Sequence, residues 1–269
     1  MKNQNPIGLF DSGLGGLTVV KAIRNVLPNE SIIYFGDTAR VPYGNKSPEL
    51  IKEYSLQIAD FLFERGTKII VVACNTATAL ALHTLQDKLD IPIIGVVKPG
   101  VDSALKLTQN DRIGVIGTIS TIGSGVYEAE LKINNHSVMV TSASCPLFVP
   151  LAEEGWIDEP VTRLIAEKYL EPINEANVDT LILGCTHYPL LKKVIQEVVS
   201  SKIQLVDSAQ AMAAETAELL MNYGLLNDQN TKGDLKLFVS DLPARFETVA
   251  SRFLGEKISN VEKIQLGRV

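Results

Sequence analysis

Ile69-Ile70-Val71-Val72-Ala73-Cys74-Asn75-Thr76 and Leu181-Ile182-Leu183-Gly184-Cys185-Thr186-His187 are the stretches whose reading decides the fold. Each opens on an apolar, partly β-branched run without polar alternation, the pattern of a parallel strand buried on both faces. Each then ends on a cysteine followed at once by small hydroxyl or amide side chains. In open α/β sheets ligands bind outside the carboxyl ends of the strands, so both thiols fall where chemistry is done.

Outward from the first stretch, strands over 7–11, 31–36, 68–73 and 92–97 alternate with helices over 16–26, 47–65 and 76–89. That rhythm predicts a mostly parallel sheet covered by helices. The pattern then restarts. Arg112-Ile113-Gly114-Val115-Ile116-Gly117-Thr118 has the character of Ile7-Gly8-Leu9-Phe10-Asp11-Ser12. A helix over 123–131 follows it, and strands over 137–141, 180–183 and 204–206 complete the set. Cys74 and Cys185 lie 111 residues apart and Gly8 and Gly114 lie 106 apart. A nearly constant offset reads as two copies of one α/β unit. A helix over 209–223, a strand over 235–240 and a helix over 244–254 remain, and this tail is expected to return to the first unit. The predicted domains are therefore 1–97 plus 207–269, and 98–206. The fold class is α/β, with two pseudo-symmetric, doubly wound units.

The chain has 269 residues, 46% of them hydrophobic and 21% charged, values ordinary for a globular protein with a well-buried core. A net charge of -6 argues against nucleic acid as a partner, because phosphate binding needs clustered Lys and Arg. No apolar run approaches the roughly 20 residues that span a bilayer, so no membrane role is expected. The opening Met1 to Asn5 is polar and unlike a signal peptide, which places the chain in the cytoplasm. Three widely spaced cysteines (Cys74, Cys145, Cys185) and three scattered histidines (His83, His136, His187) form neither a disulfide framework nor a zinc ligand set.

A lone strand-end cysteine reads first as a small buried hydrophobe, and Cys145 keeps that reading. Cys74 and Cys185 depart from it because they recur at equivalent places in the repeat. A desolvated thiolate is a strong base, and an ordinary thiol pKa of about 8.5 leaves a usable thiolate fraction near neutrality. Two thiols, one on each face of a substrate carbon, take a proton from one side and return one on the other. Asp11-Ser12 closes the first strand ahead of Gly13-Leu14-Gly15-Gly16-Leu17-Thr18. That loop lacks both the P-loop lysine and the third dinucleotide glycine, so no nucleotide cofactor is expected. Its amides suit a carboxylate, and Asp11 reads equally as a helix cap or a working residue. Asn75, Thr76, Thr186 and His187 divide in the same way between capping and substrate contact. At a strand end beside a thiol, His187 is better placed for acid–base work than for a core. Asp37-Thr38-Ala39-Arg40-Val41-Pro42-Tyr43-Gly44 reads as turn chemistry. The spacing of Glu153 and Glu154 leaves their role undecided.

Five segments in order carry a resemblance that runs the length of the chain. They are Phe10-Asp11-Ser12-Gly13-Leu14-Gly15-Gly16-Leu17-Thr18-Val19, Tyr34-Phe35-Gly36-Asp37-Thr38-Ala39, Pro42-Tyr43-Gly44, Ala73-Cys74-Asn75-Thr76-Ala77-Thr78-Ala79 and Gly184-Cys185-Thr186-His187-Tyr188-Pro189-Leu190. Through them the chain resembles the bacterial glutamate racemases of the cofactor-independent aspartate/glutamate racemase superfamily. The resemblance implies two α/β domains facing each other across a cleft, in a homodimer that needs no cofactor and no metal. It implies Cys74 as the thiol that takes the proton from D-glutamate and Cys185 as the one that takes it from L-glutamate. Asp11, Ser12, Tyr43, Gly44, Asn75, Thr76, Thr186 and His187 would bind substrate. Asp11 and His187 would also assist their thiols, with Glu153 a further participant. D-glutamate feeds peptidoglycan, so the implied role is cell-wall building. One variant of the family uses an N-terminal extension to bind a cell-wall precursor as activator. This chain begins six residues before its first strand, so no such dependence is expected. Aspartate racemisation and a two-lobed small-molecule binder are the competing readings.

Overall fold

Along β1 (Ile7–Asp11) and β3 (Ile69–Val72) successive side chains enter opposite cores, which is why neither strand shows polar alternation. Ile7, Leu9, Ile69 and Val71 pack into one apolar cluster and Phe10, Ile70 and Val72 into another. The computed structural model describes residues 3–267, the side chains of Arg245 and Arg252 excepted. It divides into two compact units, one built by the chain up to Val96 and again from Ala209, the other by Val97–Ser208.

The first unit also contains α1 (Leu17–Val26), β2 (Ile32–Gly36), α2 (Pro48–Glu64), α3 (Asn75–Lys88) and β4 (Ile93–Gly95). The second contains α4 (Val97–Leu107), β5 (Arg112–Gly117), α5 (Ile119–Gly123), α6 (Val126–Asn134), β6 (Met139–Ser144), α7 (Phe148–Glu154), α8 (Pro160–Glu175), β7 (Thr180–Gly184), α9 (Lys192–Val198) and β8 (Gln204–Asp207). The chain then returns to the first unit through α10 (Ser208–Asn222), β9 (Leu235–Val239), α11 (Pro243–Leu254) and β10 (Glu262–Lys263).

The first sheet runs β10-β9-β2-β1-β3-β4 and the second β6-β5-β7-β8, with every recorded strand pair parallel. The four leading strands of each unit thus share one order: second, first, third, fourth. In the first unit α1, α10 and α11 cover one face of the sheet and α2 and α3 the other. In the second unit α8 and α9 oppose α4 and α6. Each fully buried Ile, Val or Leu contributes about 1.5–3 kcal/mol of burial free energy, so these faces hold both sheets.

At the amino end of β3, Lys68 is buried with Glu30. Its Nζ lies 2.5 Å from Glu30 Oε2 and also donates to the Asn3 and Leu225 carbonyls. Glu30 Oε1 in turn accepts from the Asn227 N–H, so the ion pair fastens the returning segment to the first strands. Among the described residues no helix is long and apolar enough to cross a membrane.

Several local expectations shift. The strand expected over 92–97 stops at Gly95, and Val97, placed in the first domain by the sequence, opens α4 in the second unit. A Cβ at Gly95 would lie 2.4 Å from Thr78 Cγ2, so the chain is pressed against α3 there, and Pro99 occupies a first turn that needs no N–H. Asp207 and Ser208, assigned to the first domain by the sequence, belong to the second unit. The single helix expected over 123–131 is two, because Gly125 takes φ +67 between α5 and α6. The strand expected over 137–141 lies at Met139–Ser144 instead. It is an edge strand of mixed polarity, with little pattern to fix its limits.

Candidate active site

In both units the strand order reverses between the first strand and the third, and a ligand site is expected outside the carboxyl ends of that pair. In the first unit those ends carry Asp11-Ser12 and Cys74-Asn75-Thr76. Asp11 is fully buried, and its Oδ2 accepts the N–H groups of Gly13 and Gly16 at 3.1 Å each, closing the loop ahead of α1. A Cβ at Gly16 would fall 2.6 Å from Asp11 Cβ and 3.0 Å from Tyr34 Oη, so only glycine fits. Tyr34 Oη donates to the Gly13 carbonyl at 2.8 Å and holds the loop from below. Ser12 is buried beside it.

Cys74 is the N-cap of α3, a buried residue with extended backbone, and Asn75 and Thr76 are the helix's first buried residues. A helix N-terminus favours negative charge, so this place suits a substrate carboxylate or a thiolate. Burial first, then the nearby charges of Asp11 and Cys74, push the Tyr34 phenol well above its usual range. The Tyr43 phenol is pushed up in the same way by burial, then by Asp37, with Cys74 a smaller contributor. Asp11, Cys74 and Tyr43 therefore share one neighbourhood. Tyr43 and Gly44 form a buried 3-10 turn, and Tyr43 Oη donates to Asp37 Oδ2 at 2.5 Å.

In the second unit Cys185 follows β7. Its Sγ lies 3.8 Å from His187 Nδ1, and His187 Nε2 lies 3.1 Å from Glu153 Oε1 at the end of α7. Cys185 and His187 are buried, and the Glu153 side chain is 22% exposed. When Nε2 carries the ring proton and donates it to Glu153, Nδ1 is the acceptor facing the thiol. That is the arrangement of a base oriented by a third group. Thr186 is buried between the two. Tyr188 Oη donates to the Cys145 carbonyl at 2.8 Å, which pins the turn after Cys185 to the chain ahead of α7. Burial, then Cys185, pushes the Tyr127 phenol well up.

The two ends differ in one respect. By register Gly117 of β5 pairs with Gly184 of β7, while Phe10 of β1 pairs with Val72 of β3. Gly117 is thus the counterpart of Asp11, and the second unit has no carboxylate there. Its thiol has His187 beside it, with Glu153 behind the imidazole, instead. Cys145 has no such position. It lies fully buried in the apolar cluster with Phe148 and Tyr188, and burial, then Cys185, raises its thiol far above the ordinary range.

Sequence reasoning left Glu153 undecided by spacing and made it a further participant by resemblance, and the geometry joins it to His187. It treated Asp37 and Arg40 as turn residues and gave no role to Ser240 or Tyr34. Only Tyr34 had a signal, a tyrosine in an otherwise apolar strand. Ser240 becomes visible only once β9 is known to lie against β2.

The family model for Asp/Glu/Hydantoin racemase matches residues 17–216. A glutamate racemase from Geobacter metallireducens is 54% identical over 260 residues, covering 97% of this chain and 96% of that one. The crystal structure of glutamate racemase from Francisella tularensis in complex with D-glutamate is similar at TM-score 0.93 and 38% identity, covering 99% and 100% of the two chains. The glutamate racemase isoform RacE1 from Bacillus anthracis matches at TM-score 0.95 and 39% identity, covering 98% of each.

Proposed function

The chain belongs to the Asp/Glu/hydantoin racemase family and, within it, to the glutamate racemases, and from that premise we propose that it interconverts L- and D-glutamate with Cys74 and Cys185 as its two bases. One observation carries the reading. Both thiols end the third strand of the same four-strand order, each at the point where that order reverses.

In the D-to-L direction the Cys74 thiolate removes the Cα proton. The electron pair left on Cα is delocalised into the adjacent carboxylate, and the Cys185 S–H protonates the opposite face. In the other direction the roles exchange. His187, oriented by Glu153, takes the proton that makes Cys185 a thiolate, and Asp11 serves Cys74. Ser12, Tyr43-Gly44, Asn75-Thr76 and Thr186 hold the substrate, with the amino end of α3 favouring a carboxylate. The reaction moves one proton without redox change, and both bases belong to the chain. The reading therefore requires neither metal nor cofactor, and it predicts full activity in chelator.

The product would supply peptidoglycan, in the cytoplasm, from a homodimeric enzyme, as in the family the chain resembles. Circular dichroism with L-glutamate and L-aspartate side by side, run in deuterated buffer, tests the reading. Loss of the glutamate signal with deuterium entering Cα is expected. Racemisation of aspartate in preference, or no exchange at Cα, would refute it.

A further inference from the structure

The segment that sequence reads as a turn, Asp37 to Gly44, is organised around one buried carboxylate. Asp37 has no exposed surface. Its Oδ2 accepts from Tyr43 Oη at 2.5 Å, and its Oδ1 accepts from Ser240 Oγ at 2.8 Å and Arg40 Nε at 3.0 Å. Its own main-chain N–H donates to the Asp11 carbonyl at 3.1 Å. Arg40 is held in turn, with Nη1 donating to Gln57 Oε1 at 2.6 Å and the guanidinium lying over the Tyr54 ring at 4.1 Å. Ser240 Oγ also accepts from the Ala39 N–H, and Thr38 and Asp241 exchange two further hydrogen bonds.

Through its main chain Asp37 is tied to Asp11-Ser12, and through its side chain to Tyr43-Gly44. Since the Tyr43 hydroxyl gives its proton to Asp37 and its ring is buried, the donors the pair can offer a substrate carboxylate are its main-chain N–H groups. What matters at Tyr43-Gly44 is then where the backbone stands, and Asp37 sets that.

We propose that Asp37, fixed by Arg40 and by Ser240 of the returning C-terminal segment, is a positioning residue that sets Tyr43-Gly44 against Asp11-Ser12 for substrate binding. This rests on the racemase reading above. The side-chain hydrogen bonds of Asp37 go to Tyr43, Arg40 and Ser240 and not to a thiol, so its loss weakens binding more than proton transfer. A hydrogen bond to a charged group is worth about a factor of ten or more in an equilibrium constant.

The test is steady-state racemisation in both directions by the full chain carrying Tyr43→Phe, Asp37→Asn or Ser240→Ala. Tyr43→Phe and Asp37→Asn should raise KM for both enantiomers about tenfold while kcat stays within about twofold, and Ser240→Ala should have a smaller effect of the same kind. A mere loss of folded enzyme lowers apparent kcat and leaves KM alone, so a KM rise separates positioning from folding. Should Asp37→Asn fail to fold, Tyr43→Phe, which removes a single hydroxyl, decides the question. Wild-type KM in folded Tyr43→Phe, or a fall in kcat at unchanged KM, would overturn the proposal. A parent enzyme inactive on glutamate would instead refute the functional reading.

Discussion

Cys74, Cys145 and Cys185 are all buried, and what separates them is what each touches. Cys145 sits among aromatic rings with its thiol pushed up by burial, so at neutral pH it is a hydrophobe. It should resist iodoacetamide in the native protein, and Cys145→Ser should keep most of the activity; rapid alkylation at Cys145, shown by peptide mass, would contradict this. Cys185 has an imidazole within reach, and that imidazole has a carboxylate behind it. Glu153→Gln keeps the shape and weakens the orienting bond. It should lower kcat about tenfold with little change in KM, the loss of roughly one hydrogen bond's worth of orientation. Unchanged kcat would remove Glu153 from the relay. At this scale the strand-end positions of the two thiols were legible because an apolar run ending on cysteine occurs twice. Asp37 was not, because nothing local distinguishes an aspartate that opens a turn from one that organises it.

Among the elements, β1, β3, β5 and β7 are the strands the sequence marks most clearly, since burial on both faces leaves their interiors apolar. β6 slipped because Thr141-Ser142-Ala143-Ser144 on a sheet edge has no alternation to read. α8 was not anticipated at all. Only one stripe of it, with Thr162, Ala166, Leu170 and Ile173, is buried, and Pro172 interrupts the helical pattern. The start of β7 depends on a carboxylate. Burial alone would raise Asp179, but hydrogen bonds from the Gln109 N–H, Thr108, Thr180 and the Asn110 N–H outweigh it and hold the carboxyl below its usual range. A depressed folded pKa gives stability that is present above the unfolded pKa and is lost as pH falls through the folded one. Asp179→Asn should therefore lower Tm at pH 7, and the gap to the parent should close once the pH falls below the carboxylate range. A gap that persisted in strong acid would mean that these bonds act through shape alone.

On the scale of the whole molecule, one topology is used twice and then modified. The first unit keeps an aspartate at the end of its leading strand and gains β9 and β10 from the returning segment. The second places glycine there and has His187, backed by Glu153, beside its thiol. The repeat was visible in the sequence as a constant offset. The contact between His187 and Glu153 was not, because the two lie 34 residues apart in the chain. The ion pair of Lys68 and Glu30 closes the first unit at its other end, and removing one partner would leave a buried charge at a cost of about 3–5 kcal/mol.

The central claim is that the two copies divide the work, one thiol to each face of Cα. Elimination of HCl from the enantiomers of β-chloroglutamate tests it most directly, because that reaction needs only one proton removed before chloride leaves. Cys74→Ser and Cys185→Ser should each lower racemisation by about three orders of magnitude, the scale of a lost acid–base group. Cys74→Ser should still eliminate HCl from the L-enantiomer and Cys185→Ser from the D-enantiomer. Equal loss of both eliminations in both variants would contradict the account.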